Sequence, residues 1–479
     1  MISIIIPSRN EPYLKKTIQD ILDKAKGEVE VIAVLDGYWP DASEMIDDKR
    51  VHYIHYGTPR GMRNAINKGV EIAKGEYILK CDAHCMFAPE YDKTLIKYHK
   101  PYWVVVPRRY ALDPIKWEII DNPKYPIDYM YLDSNLHGVE WREKNKDPKL
   151  AEKKIDYLMS SQGSCWFMTK AYYKMLRILD EDKYGMFWNE FQEIGLKTWT
   201  YQGQVVVNKH TWYAHWHKTE TRGYNLDRAD HEKAIARVEL WKTNLAWVEQ
   251  QRNSLAWLIK RFWPVPTWSE EYIRHEERDQ EVMFWRKWMM RDRGKRRFEK
   301  KQLYPHMVEM IGDKKEVWIA DIGGGAVPMV GFETKGVKIH YVMSDLLANE
   351  YKEVYKYHNY TPPFYPEYQD MTKLTYKDET FDIVHCRNAI DHSPDAWTAL
   401  KEMYRVCKKG GYVYLWHFKD VARMMQQTGM HQWNIHLEGK DCVFQGRDKK
   451  FLLSECVPGF VNSELVYRHG VIVNKLHKL

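Results

Sequence analysis

Apolar and polar positions alternate along this chain in two textures. Over residues 1–220, short β-rich runs at 2–7, 30–35, 77–80 and 103–107 are separated by stretches of helical spacing at 12–26 and 61–73. Strands alternating with helices in this way predict an α/β domain on a largely parallel sheet. Beyond about 226 the spacing becomes helical only. Val238, Trp241, Leu245 and Val248, then Leu255, Leu258, Ile259 and Phe262, recur every three or four residues; Pro264 and Pro266 interrupt them, and Trp285, Trp288 and Met289 resume the pattern. After about 315 the strand-helix alternation returns, with expected strands at 317–320, 338–343, 383–385 and 412–416. The predicted organisation is an α/β domain over 1–225, a helical connector over 226–304 and a second α/β domain over 305–479.

Composition narrows the class. A 479-residue chain is long for one core, and 44% hydrophobic with 29% charged residues fits a folded protein and excludes a disordered one. The net charge of +7 suits anionic ligands such as nucleotide diphosphates without requiring nucleic acid. A basic cluster, Arg291, Arg293, Lys295, Arg296, Arg297, Lys300 and Lys301, reads either as a solvated helix face or as a patch for an acidic surface, nucleic acid or membrane. Seven cysteines with no CxxC pair give neither a disulfide framework nor a zinc cassette, so a reduced, cytoplasmic setting is expected. The opening Met1-Ile2-Ser3-Ile4-Ile5-Ile6-Pro7 has no basic leader and is too short to cross a bilayer; it reads as a first strand, and no transmembrane segment is expected.

Open α/β sheets bind ligands at the carboxyl ends of their strands, which directs attention to polar residues that follow apolar runs. Ile4-Ile5-Ile6-Pro7-Ser8-Arg9-Asn10-Glu11 runs from a strand into a polar turn, and Val34-Leu35-Asp36-Gly37 ends another with a carboxylate. Gly75-Glu76-Tyr77-Ile78-Leu79-Lys80-Cys81-Asp82-Ala83-His84-Cys85 puts Asp82 and His84 on one side of an extended segment, where they can share a divalent cation. Each signal alone is also met as an ordinary turn or helix cap. Their order carries more.

That order resembles the GT-A glycosyltransferases of family 2 and, in its second half, the polypeptide N-acetylgalactosaminyltransferases, over about residues 2–218. The stretch from Gly61 to Cys85 looks like the family's own. So does Glu190-Phe191-Gln192-Glu193-Ile194-Gly195-Leu196-Lys197-Thr198-Trp199 with Gln202-Gly203 and then His215. The family has Asn where this chain has Phe191. The resemblance implies a divalent metal, Mn2+ or Mg2+, on Asp82, His84 and His215, with His217 the near alternative to His215. It implies a nucleoside diphosphate sugar donor, expected to be UDP-linked, at Pro7, Ser8, Arg9, Glu11, Asp36, Arg63, Asp82 and Trp166, with Asp36 on the uridine and ribose. Gly163-Ser164-Cys165-Trp166-Phe167 resembles the acceptor-side wall, where Trp166 would stack on a sugar. Arg63 or Lys218 would assist the departing diphosphate, whose charge the cation stabilises. If the anomer inverts, Glu190 or Glu193 is the catalytic base; if it is retained, they position donor or acceptor.

The second α/β stretch has its own constellation. Val317-Trp318-Ile319-Ala320-Asp321-Ile322-Gly323-Gly324-Gly325-Ala326 is a strand, an acid and a glycine-rich turn, and the next strand, Ile339-His340-Tyr341-Val342-Met343-Ser344, ends at Asp345. Gln369-Asp370-Met371, Asp391-His392-Ser393-Pro394-Asp395 and Lys409-Gly410-Gly411 follow. This order resembles the class I, Rossmann-like, S-adenosylmethionine-dependent methyltransferases, over about residues 305–440. It implies Asp321, Gly323 and Gly325 at the methionine and ribose end of S-adenosyl-L-methionine, Asp345 on the ribose, and Asp370 with Met371 at the adenine. His392 reads either as a general base or as a structural, capping histidine.

The expected function is bifunctional: metal-dependent transfer of a hexosyl or N-acetylhexosaminyl group to an acceptor hydroxyl, and methylation of that glycan or a related acceptor. Rival readings are a nucleic-acid base modifier gripped by the basic connector, and a glycosyltransferase whose second domain is a non-catalytic assembly module.

Overall fold

The computed structural model describes residues 1–121, 123–218, 227–291, 301–424, 430–457, 460–468 and 470–479. They form two compact units, Met1–Arg274 and His275–Leu479, both of the expected α/β class. Arg293, Lys295, Arg296, Arg297 and Lys300 of the basic cluster lie outside the described residues. No described helix is long and apolar enough to cross a membrane.

The first unit is built on a ten-stranded sheet. Its main path runs Ile155–Tyr157, Gln204–His215, Trp103–Asp113, Cys165–Thr169, Tyr77–Cys81, Ile2–Ser8, Val29–Asp36, Val51–Tyr56. The last four strands of that path pair in parallel. Ile2, Ile4, Ile5, Ile6 and the whole of Val29–Asp36 are buried, as strands covered on both faces require. Helix Leu14–Lys24 turns Leu14, Ile18, Ile21 and Leu22 inward at three- and four-residue spacing. Helix Met62–Ile72 comes so close to the first strand at Gly69 that a β-carbon there would lie 2.5 Å from Ile5 Cγ2.

Two pairings assemble the site. Cys165–Thr169 runs antiparallel to Tyr77–Cys81 with Cys165 opposite Cys81, so its beginning meets the other's end and the Asp82 N–H donates to the Ser164 carbonyl at 2.9 Å. Gln204–His215 runs antiparallel to the short strand Cys85–Phe87, which sets His215 opposite Cys85 and beside His84.

The second unit holds a seven-stranded sheet. Numbered along the chain, its strands lie in the order 3-2-1-4-5-7-6. The first five, Glu316–Ile322, Lys338–Asp345, Glu367–Tyr368, Phe381–Arg387 and Cys407–Phe418, are parallel; Phe460–Arg468 and Val471–Lys478 close the edge as an antiparallel hairpin. The order reverses between Glu316–Ile322 and Phe381–Arg387, which is where a doubly wound sheet opens a crevice.

The stretch expected as a connector is shared out between the units. Val238, Trp241, Leu255, Leu258 and Ile259 belong to the core of the first. Val282, Trp285 and Met289, on helix Glu276–Arg291, pack with Ala326, Val327, Leu347 and Tyr351 in the second.

Gly69→Ala sets a gain in helix propensity of up to about 1 kcal/mol against overpacking of about 1–3 kcal/mol. The net expectation is a first unit destabilised by about 1–2 kcal/mol in urea unfolding; a neutral result would show that the helix does not seat on Ile5 as closely as described.

Candidate functional site

In the first unit the strand ends enclose a cavity of about 450 Å³, whose lining includes Pro7, Ser8, Arg9, Glu11, Asp36, Asp82, His84, Glu190 and His215. The ligand atoms of Asp82, His84 and His215 all lie within 4.8 Å of one another. Asp82 Oδ2 is 3.2 Å from His215 Nε2 and 4.0 Å from His84 Nε2. His217 also lines the cavity, but it is His215 that converges with the other two. His84 Nδ1 lies 3.0 Å from Glu11 Oε2, and Lys218 donates to the other oxygen of Glu11. A carboxylate behind one ring nitrogen fixes the imidazole with its other nitrogen toward a cation. Burial pushes His215 down to about 3, so the ring is neutral and ligand-ready near neutrality despite the opposing Asp82 contact.

Lys80 organises the floor. Its ammonium donates to Asp82 Oδ1 at 2.7 Å, to the Gly163 carbonyl at 2.7 Å and to Glu190 Oε2 at 3.2 Å. Burial disfavours charge on Asp82, yet Lys80 and then His215 outweigh it and hold the carboxyl below its usual range. Glu190 goes the other way: burial raises it more than Lys80 lowers it. Asp36 accepts from the N–H groups of Arg60 at 2.6 Å and Gly61 at 3.0 Å, and Ser8 Oγ pairs with Tyr38 Oη at 2.6 Å.

Three expected site residues sit elsewhere. Arg63 and Glu193 are fully buried and ion-paired to each other; Glu193 also takes Lys197 at 2.6 Å and the Leu179 N–H at 3.1 Å, and Arg63 holds the Trp188 carbonyl at 2.6 Å. Neither lines the cavity, so Glu193 is not placed to act as base and Arg63 is not placed on a diphosphate. Trp166 is buried too. Its ring stacks on Tyr173 and its indole N–H donates to Glu190 Oε1 at 2.7 Å, so it braces a carboxylate instead of facing a sugar.

The second unit has a cavity of about 330 Å³ at its crevice, lined by Asp321, Gly323, Gly325, Asp345, Asp370, Met371 and His392 together. Asp345 accepts from Gly325 N at 3.0 Å and Leu347 N at 2.8 Å. Asp321 is engaged at both oxygens, with Tyr341 Oη at 2.6 Å and His385 Nδ1 at 2.7 Å, and Asp370 accepts from the N–H and hydroxyl of Thr372. Gly325 has φ +74°, and a β-carbon there would fall 2.0 Å from the Trp285 ring. Trp285 and Glu281 bring helix Glu276–Arg291, within the expected connector, to this wall, and Trp285 Nε1 donates to Glu281 Oε1 at 3.0 Å. Burial pushes Glu281 up to about 7, with Asp345 adding to the effect, and pushes Asp345 up to about 6 against its backbone donors.

Comparison with known proteins adds the lineage. The model of Glycosyl transferase family 2 matches residues 3–177, and the model described as Methyltransferase domain matches residues 321–415. The chain carries a family 2 glycosyltransferase domain followed by a methyltransferase domain. The glycosyltransferase domain is similar to Glycosyltransferase GlyG of Streptococcus pneumoniae, 32% identical over 101 residues, which is 20% of this chain and 34% of that protein. The methyltransferase domain is similar to the demethylmenaquinone methyltransferase of Streptomyces avermitilis, 47% identical over 49 residues, 10% of this chain and 21% of that protein. The chain thus spans about a third or less of these relatives. A crystal structure of GalNAc-T7 with UDP, GalNAc and Mn2+ aligns at 17% identity and a TM-score of 0.42, over 61% of this chain and 56% of that one.

Sequence reasoning missed Lys80, Tyr38, Glu281 and Trp285. Lys80 had a signal: a lysine inside an apolar strand, two positions before Asp82 and on the same face.

Glu193→Ala would leave Arg63 and Lys197 buried without their partner and is expected to destabilise the glycosyltransferase domain by about 3–5 kcal/mol, read by chemical denaturation. A change below about 1 kcal/mol would refute the structural assignment. In the methyltransferase domain, the folded carboxyl of Glu281 keeps its proton up to about pH 7 whereas an ordinary Glu releases it near 4.5. Between those values the folded state binds more protons, so stability falls as pH rises through the window, by about 3 kcal/mol. Thermal unfolding from pH 4.5 to 8 should show this slope, and Glu281→Gln should flatten it; an unchanged slope in the variant would refute the assignment.

Proposed function

We propose that the first domain transfers a sugar from a nucleoside diphosphate donor, expected to be UDP-linked, to an acceptor hydroxyl with a divalent cation, Mn2+ or Mg2+. The convergence of Asp82, His84 and His215 at one point of the cavity carries this reading. One carboxylate and two imidazoles, one of them backed by Glu11, are a chemically suitable donor set for such an ion. When bound, the ion would act as a Lewis acid on the diphosphate. Asp82 is kept ionised by Lys80, and His215 is kept neutral by burial, so both are in the protonation state a cation needs. Asp36 and Ser8, at the ends of adjacent strands, would receive the nucleoside. Glu190 is the carboxylate that would meet the acceptor hydroxyl, as base if the anomer inverts; its raised proton affinity favours that task.

The second domain is proposed to bind S-adenosyl-L-methionine and methylate the glycan or a related acceptor. Support comes from a cavity at the crevice lined jointly by the glycine turn, Asp345 and Met371. When bound, S-adenosyl-L-methionine would supply the methyl group. Gly323 and Gly325 line the cavity with positive φ, where a β-carbon would strike Ala389 and Trp285, and Asp345, preset by two backbone donors, would hold hydroxyl groups. Two activities on one chain would raise the local concentration of one product near the next site.

A panel of nucleotide sugars tested with Mn2+ and then with chelator should reveal hydrolysis or transfer that depends on the ion, and Glu11→Gln should weaken the ion's hold roughly 10–100-fold. Full activity in chelator, or an Asp82→Asn variant as active as the parent, would end the metal-dependent reading. Methyl label from S-adenosyl-L-methionine should appear on the glycosylated product; label confined to unrelated molecules would reject the coupling.

A further inference from the structure

A second group of metal-ligating side chains stands in the methyltransferase domain, apart from any residue used above to hold S-adenosyl-L-methionine. We propose that Asp391, His392 and His431 hold a divalent first-row transition-metal ion on the wall of the methyltransferase cavity. Methyl transfer does not by itself require an ion, so the inference goes beyond the proposed function and stands on separate geometry.

The three ligand atoms form a small triangle. His431 Nδ1 lies 2.7 Å from Asp391 Oδ2, His392 Nε2 lies 3.2 Å from His431 Nδ1, and His392 Nε2 lies 3.7 Å from Asp391 Oδ2. An ion bound at about 2.0–2.2 Å separates neighbouring ligands by roughly 3.0–3.4 Å, the middle of that range. Two imidazoles and one carboxylate on one side of an ion, with other positions open, is a donor set suited to zinc and its first-row neighbours.

A single proton closes this triangle well on one edge only. A ring nitrogen carries either one hydrogen or one lone pair in the ring plane. His431 Nδ1 nevertheless faces both a carboxylate oxygen and a second ring nitrogen. Donated to Asp391 Oδ2 at 2.7 Å, its one hydrogen reaches the His392 Nε2 lone pair only as a longer, 3.2 Å secondary contact, and the 3.7 Å edge between His392 and Asp391 carries no hydrogen bond. A cation at the centre converts all three contacts into ligation.

The surroundings point the same way. Among the described residues, the buried Asp391 Oδ1 and both ring nitrogens of the buried His417 have no hydrogen-bond partner. His417 is near enough to Asp391 and His392 to feel their charges. Buried polar groups left so are costly, and an ion with its own bound water would offset that cost. The trio is also preorganised. Asp391 and His392 lie in the short turn Ile390–His392 that follows strand Phe381–Arg387, and the Asp391 carbonyl accepts from Gln432 N at 2.8 Å and Trp433 N at 3.1 Å, fixing the segment that carries His431. Trp433 Nε1 adds a bond to the Ser393 carbonyl at 2.9 Å. His392 and His431 line the cavity and Asp391 lies behind them, so the open positions of the ion would face the bound acceptor. A hydroxyl or carboxylate oxygen is the ligand class that would complete the shell. His392 then serves as a ligand, not as a free base.

The test uses the full chain carrying Asp82→Ala and His215→Ala, which silences the glycosyltransferase site, with Co2+ as the probe because its visible absorption reports ligation. One Co2+ per chain is expected, and adding His431→Ala or His392→Ala should weaken binding roughly 100-fold. Far-UV circular dichroism and thermal unfolding serve as the folding control for each variant, and calorimetry reports whether the background chain binds S-adenosyl-L-methionine. No bound Co2+ in a background chain that still binds S-adenosyl-L-methionine would overturn the proposal. So would Co2+ binding that neither histidine substitution alters. Co2+ binding that responds to both substitutions in a chain with no affinity for S-adenosyl-L-methionine would uphold the ion and count against the methyl-transfer reading instead.

Discussion

One buried ammonium joins the two carboxylates on which the glycosyltransferase cavity depends. Lys80 spends its three N–H donors on Asp82, Glu190 and the Gly163 carbonyl, so its hydrogen-bonding capacity is filled. Taking a charge out of water costs several kcal/mol, and only such full pairing offsets it. The arrangement has a directional consequence. Lys80 lies in the strand Tyr77–Cys81, Gly163 just before the antiparallel strand Cys165–Thr169, and Glu190 at the start of a helix. A single side chain therefore sets the distance between three elements at the point where the cavity opens. Two formal negative charges against one positive also leave the floor of the cavity short of a cation, on the side where His84 and His215 present their nitrogens.

The methyltransferase domain places acids at strand ends as well, but balances them differently. Asp345 is met by two backbone N–H groups, and burial raises it together with Glu281. Lys80 and His215 hold Asp82 below its usual range, whereas burial raises Asp345 to about 6 and Glu281 to about 7, so near neutrality it is Glu281 that keeps a substantial share of its protons. The same topological rule thus produces a carboxylate beside two imidazoles in one domain and buried carboxyls of raised proton affinity in the other.

Much of the architecture was legible because strand and helix periods are local properties. The alternation at 2–7, 30–35 and 77–80 corresponds to strands Ile2–Ser8, Val29–Asp36 and Tyr77–Cys81, and the glycine turn after 317–320 follows strand Glu316–Ile322. Asp82, His84 and His215 could be nominated from motif order, and the structure brings them together. What could not be read was burial set by distant partners. Helix Glu276–Arg291 shows an amphipathic stripe in sequence, but nothing in the stripe tells which core it serves; Trp285 finds Gly325, forty residues on, because only a glycine leaves room for the ring. The antiparallel hairpin at the end of the chain was not anticipated either, since its alternating pattern Val471–Lys478 carries polar residues on buried positions such as Asn474.

Glu190 and Glu193 show where the boundary of legibility falls. They stand three residues apart on one helix, in the same first turn, and by composition and spacing they are interchangeable. Their environments are decided by residues more than a hundred positions away: Lys80 holds Glu190 on the cavity wall, while Arg63 holds Glu193 inside the core. Arg63 carries no signal of its own, because a buried arginine in a helix looks in sequence like an exposed one. The pair Arg63–Glu193 therefore has to be read as a unit. Joined to Lys197 and the Leu179 N–H, it anchors the Met62–Ile72 and Glu190–Thr200 helices to each other. It is this internal clamp that fixes the helix start from which Glu190 reaches Lys80, so the carboxylate buried in the core sets the position of the one on the cavity wall.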